Sequence, residues 1–118
     1  MLSFNNLGRL GRLGNQMFQY ASLKGISANR GFDFCIPSKE SFGSYDLLVR
    51  NSDTNIYDLF NLDKKNLIGV NNNPIIHEKF FHFDEDLFNN CPDNIDLHGY
   101  YQSQKYFEKI KKDIREDF

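Results

Sequence analysis

The stretch Gly8-Arg9-Leu10-Gly11-Arg12-Leu13-Gly14 runs directly into Asn15-Gln16-Met17-Phe18-Gln19-Tyr20-Ala21. A glycine at every third position reads as a tight loop. The Asn that follows reads as a helix N-cap, because its side-chain oxygen can accept a bond from an orphan N–H of the first turn. Met17, Tyr20, Ala21 and Ala28 share one helical face, with Phe18 and Ile26 flanking it. Gly25 weakens the helix interior, and Gly31 after Arg30 is the expected stop. Residues 2–7 read as a short strand before the glycines. Residues 32–36 alternate as a second strand that ends at Pro37. Strand, loop, helix and strand in that order make a βαβ unit, which joins parallel strands. The expected class is therefore α/β.

Working outward, the signals from Ser38 to Asn73 are weaker. Residues 46–49 and 67–70 suit strands, residues 56–62 a helical turn, and Asn71-Asn72-Asn73-Pro74 a turn. Residues 75–83 read as extended, and Asp84-Glu85-Asp86-Leu87-Phe88 as the acidic start of a helix. Residues 90–94 read as a loop and 95–100 as another strand. Phe107, Ile110, Ile114 and Phe118 form one apolar stripe at helical spacing, with Ser103 as the N-cap and Glu108–Lys112 and Lys109–Asp113 pairs on the wet face. The stripe needs a partner surface. It runs into Phe118 with no stop residue, so the chain is expected to be cut within an element.

The 118 residues give a prior of one domain with a real core. Fourteen basic residues against 16 acidic ones leave a net charge of −2, which argues against a nucleic-acid partner. The mean hydropathy is −0.58, and no apolar run approaches the length of a membrane span. The opening residues lack the basic and apolar regions of a signal peptide, so the expected location is cytoplasmic, at most peripheral at the inner membrane. Cys35 and Cys91 make neither a disulfide framework nor a zinc spacing, and Cys35 reads as a small buried hydrophobe. Phe is unusually common at 12 residues, with no Trp. The aromatics are either a ligand platform or the mark of an AT-rich gene, and the second is the simpler account.

Small residues before a helix let backbone N–H groups converge on an anion such as a diphosphate. The spacing is nevertheless neither G-x-G-x-x-G nor a P-loop, so pattern alone favours a structural turn over a phosphate site. His77 and His82 lie five apart, where the zinc-helix motif needs four, so no metal ligands are assigned. No nucleophile–base arrangement can be assigned either.

Two blocks go beyond pattern. Gly11-Arg12-Leu13-Gly14-Asn15-Gln16-Met17-Phe18-Gln19-Tyr20-Ala21 resembles the N-terminal signature of the α-1,2-fucosyltransferases, glycosyltransferase family 11. The run Phe81-His82-Phe83-Asp84, then Pro92-Asp93-Asn94, then Gly99-Tyr100-Tyr101-Gln102-Ser103-Gln104-Lys105-Tyr106-Phe107, and the tail Ile114-Arg115-Glu116-Asp117-Phe118, are similar to the same family in order and spacing. The resemblance implies that residues 1–118 are a single Rossmann-like N-terminal α/β domain of a GT-B enzyme, whose second, donor-binding half is absent. It implies metal-independent, inverting transfer of L-fucose from GDP-fucose to a galactoside or glycan hydroxyl, with Arg12, Leu13, Gly14, Asn15 and Gln16 as the donor-facing loop. The family's H-x-R motif is missing, since His77, His82 and His98 are followed two positions on by Lys79, Asp84 and Tyr100. No catalytic residue is assigned, and the chain alone is expected to be inactive. Gly8-Arg9-Leu10 stands where the family has its first strand. A stand-alone nucleotide- or phosphate-binding module and a non-catalytic interaction remnant, with the stretch from Ser103 docking on a partner, are the alternatives.

Overall fold

The structure is a computed structural model that describes residues 1–38, 56 and 62–118. Its strands are β1 (Leu2–Ser3), β2 (Phe34–Cys35), β3 (Ile75–His77) and β4 (Asp96–His98), and its helices are α1 (Leu13–Arg30), α2 (Glu85–Asn90) and α3 (Lys111–Asp117). All four strands run parallel, in the order β2-β1-β4-β3. The chain is thus α/β, with β1 and β4 at the centre.

The βαβ unit forms as its residues dictate. Gly31 sits at φ 74° after α1, and the N–H groups at 31 and 32 close back on the Ala28 and Ser27 carbonyls. A left-handed residue at this position costs glycine nothing sterically. The helix buries part of the stripe that periodicity suggests, Tyr20 and Ala21 among it. Tyr20, Leu23 and Ile26 enter the core, whereas Met17 is half-buried and Ala28 exposed. Gly25 is the point of closest approach to the neighbouring chain, for a Cβ there would lie 1.8 Å from the Tyr106 carbonyl oxygen. β1 is shorter than the stretch 2–7, and Gly8, Arg9 and Leu10 lie in the turns that follow it.

Residues 67–70 do not form a strand. They follow a 3₁₀ turn (Lys64–Asn66), the Gly69 N–H donates to the Ile36 carbonyl while the Ile36 N–H donates to the Asn66 carbonyl, and Ile68 and Val70 stay exposed. The strand suggested at 46–49 lies outside the described residues. Of the turn at 56–62 only Ile56, helical and buried, and Leu62 are described. Residues 75–83 are extended only as far as His77. Asp84 then caps α2 by accepting the Leu87 N–H at 3.1 Å.

The stretch from Ser103 is not one helix. Ser103 caps a 3₁₀ turn (Gln104–Tyr106), a second turn covers Glu108–Ile110, and α3 follows. Phe107, at φ −129° between the turns, interrupts the helical path. The apolar stripe is covered by this chain's own α1. Ile114 is buried, Phe118 packs on the Tyr20 ring at 5.8 Å, and Asp117 accepts from Lys24 at 2.6 Å and from Tyr20 at 3.2 Å. That coverage supplies within the chain the surface that the stripe requires.

Most of the aromatic excess is core. Phe4, Tyr101, Tyr106, Phe83 and Phe88 form a continuous chain of tilted and edge-to-face contacts with centroids 4.9–6.3 Å apart. Such pairs add to burial through the ring quadrupoles. Cys35 and Cys91 are buried free thiols. Burial pushes the Cys35 thiol up and that of Cys91 up to about 11.

Candidate functional site at the carboxyl ends of the strands

In an open parallel sheet, ligands bind in the crevice beyond the carboxyl ends of the strands, where the strand order reverses. Here β1 leads outward to β2, and the chain returns to place β4 on the other side of β1. The segments leaving β1, β3 and β4 therefore border the crevice. Asn15, Glu78, Phe81, Tyr100 and Gln102 line a cleft there, about 270 Å³ in volume.

The loop after β1 is assembled by side chains. The Leu7 and Arg9 N–H groups bond to the Phe4 and Asn6 carbonyls, and Gly11, at φ 83°, turns the chain into α1. Two glutamines then fasten the loop to the helix. Gln16 Nε2 donates to the Gly11 carbonyl at 3.1 Å and Gln19 Nε2 to the Leu10 carbonyl at 2.8 Å. Gln16 Oε1 also accepts the Ile56 N–H at 2.9 Å.

This arrangement corrects the cap. α1 begins at Leu13, so Asn15 lies in the first turn, and the N-cap position belongs to Arg12, which makes no side-chain cap bond. The helix starts three residues early, and the glutamines, rather than the asparagine, tie it to the loop. The first intrahelical bond is Gln16 N–H to the Arg12 carbonyl, which leaves the N–H groups of residues 13, 14 and 15 outside the helical ladder.

The five loop residues divide. Arg12 and Gly14 are exposed, and Asn15, which lines the cleft, accepts from Gln102 Nε2 through Oδ1 at 2.6 Å, joining α1 to the segment after β4. Leu13 packs against the core, and the Gln16 side chain is buried within the loop. A Cβ at Gly14 would meet nothing within 4 Å among the described residues.

Sequence reading missed Glu78. Its two carboxylate oxygens accept the Tyr100 and Tyr101 N–H groups, each at 3.0 Å. Tyr101 holds φ 50°, an uncommon conformation for a bulky side chain. Its ring is fully buried, with the phenol pushed upward by burial, and its hydroxyl has no hydrogen-bond partner among the described residues. No local signal in His77-Glu78-Lys79 announces this clamp, because its partners stand 22 and 23 positions away.

The histidines also meet unexpectedly. His77 and His98 are in register on β3 and β4, with rings 5.0 Å apart, while His82 stacks on Phe80. Among the described residues no three His, Cys, Asp or Glu side chains converge as metal ligands. Nor is any helix among them long and apolar enough to cross a membrane.

Behind the crevice, Asp96 is buried in the central strand. It accepts the Asn5 N–H at 2.7 Å and the Ser3 hydroxyl at 3.2 Å. Burial nevertheless holds its carboxyl above the ordinary value. No family model, curated protein or solved structure matches the chain.

Proposed function

We propose that the chain is the N-terminal half of a GT-B fucosyltransferase, transferring L-fucose from GDP-fucose to a galactoside hydroxyl with inversion, and inactive without its second half. The signature spanning residues 11–21 and the run at 99–107 motivate the family. One structural observation carries the site. Gly14 costs the helix stability relative to alanine, yet nothing among the described residues occupies the space above it. A ligand that approaches the backbone gives that glycine a reason.

In this reading the N–H groups of residues 13–15 and the Arg12 guanidinium face the diphosphate. Fucose departs through an oxocarbenium-like transition state while negative charge grows on the leaving diphosphate. Fixed backbone donors and a cation aimed at that charge lower the barrier, because they need no reorganisation as it develops. The reading requires no metal. An arginine fork on the second half would supply the remaining clamp, since its bidentate geometry suits a phosphate.

The test is a titration of the ¹⁵N-labelled chain with GDP. Shifts confined to the amides of residues 12–16, with millimolar affinity and no fucosyl transfer, are expected. Transfer by the chain alone overturns the half-enzyme reading. Micromolar GDP binding favours a stand-alone nucleotide-binding module, which the same uncapped helix start would serve.

A further inference from the structure

The cleft beside the α1 start differs in chemistry from the start itself. Glu78 lines the cleft, and each of its carboxyl oxygens has a further lone pair beyond the backbone bond it accepts. Gln102 spends its Nε2 on Asn15, which leaves its Oε1 as an acceptor. No lysine or arginine is among the lining residues that the structure describes. An anion is disfavoured there, and a neutral ligand rich in O–H donors is favoured.

Its walls are apolar rings held at a conformational cost. Tyr100 is 42% exposed and Phe81 is completely so, although both line the cleft. Tyr100 stands between two residues at positive φ, Gly99 at 155° and Tyr101 at 50°. A Cβ at Gly99 would lie 2.4 Å from the Glu78 Cβ, so the clamp admits only glycine. The left-handed conformation of Tyr101 persists only where the surroundings impose it, and such backbone strain clusters at functional sites. The volume equals that of about nine waters, enough for one sugar ring.

We propose that this cleft is a saccharide subsite. A pyranose lays its C–H face on Tyr100, donates hydroxyls to Glu78 and to Gln102 Oε1, and has Phe81 as its outer wall. Glu78 thereby has two tasks, fixing the Tyr100 platform and receiving the sugar. The inference rests on the proposed function only in taking this sugar as the acceptor of transfer, because its binding needs no nucleotide.

Three titrations of the labelled full chain test it, with methyl β-galactoside, GDP and choline chloride. The galactoside is expected to shift amides at 78–81 and 99–102 without GDP present. Tyr100→Ala and Phe81→Ala should each weaken it about fivefold, and Tyr100→Phe should retain most of the affinity. Galactoside that moves none of these amides, or variants that both bind as the parent does, overturns the proposal. So does a response there to choline alone, which would make the cleft a cation box. A galactoside response without a GDP response at residues 12–16 leaves the subsite standing and removes the donor loop. The reverse pattern removes only the subsite.

Discussion

Gly25 and Tyr106 are in backbone contact, with room for a hydrogen but not for a methyl group between the helix and the Tyr106 carbonyl. The obstacle is main chain, so no rotamer change relieves it. Gly25→Ala is expected to destabilise the protein by at least about 2 kcal/mol, although alanine is the better helix former. A urea melt of the variant checks the sign.

Gly14→Ala should behave oppositely. Its Cβ enters open space, so stability should rise by up to about 1 kcal/mol. GDP affinity should fall, because the methyl group stands where the ligand approaches the backbone. Unaltered GDP binding in this variant would remove the reason offered for the glycine.

Gln16→Ala removes the bond to the Gly11 carbonyl and the acceptor of the buried Ile56 N–H. Losing partners for buried groups should cost about 2 kcal/mol. Asn15→Ala removes an exposed bond to Gln102 and should cost about 1 kcal/mol or less. Comparing the two melts separates the loop's structural amide from the one at the crevice.

Asp96 gives a pH dependence of definite sign. Burial raises its folded pKa above 3.8, so the folded state holds the proton more tightly than the unfolded chain. Its contribution to stability is full below 3.8 and is lost as pH rises through the raised value. Asp93, held low chiefly by its bond to the N-terminal ammonium, works the other way and loses its contribution as pH falls below 3.8. Asp96→Asn should gain stability over the parent across the window above 3.8 and then hold a constant difference. Urea midpoints from about pH 3 to about pH 7 measure it.

Local chemistry made the βαβ unit readable, because Gly31 and the alternation at 32–36 act within a few residues of themselves. Asp84 was readable as a helix start for the same reason. The stretch from Ser103 misled because its spacing is helical while its path is set by Gly25, which draws the 106–107 backbone against α1. Residues 67–70 carry strand-like side chains, but among the described residues their one backbone bond to the β2 side is Gly69 N–H to the Ile36 carbonyl, and ladder pairing decides a strand. Of the site, the loop position was legible and the roles within it were not. Gln16, Gln19 and Glu78 act through backbone groups that periodicity does not reveal.

The single paired step between β1 and β4, Ser3 with Asp96, also dictates an order of assembly. Residues 1–36 can close β1 on β2 across α1, and residues 75–98 can close β3 on β4 across α2, each over a short span of chain. Joining the two halves brings together residues more than 90 positions apart, and its loop entropy must be met before any contact repays it. The buried polar seam of Ser3, Asn5, Asn71 and Asp96 cannot form before that encounter. The crevice, whose rims come from the two sides of that junction, exists only where the sheet is continuous.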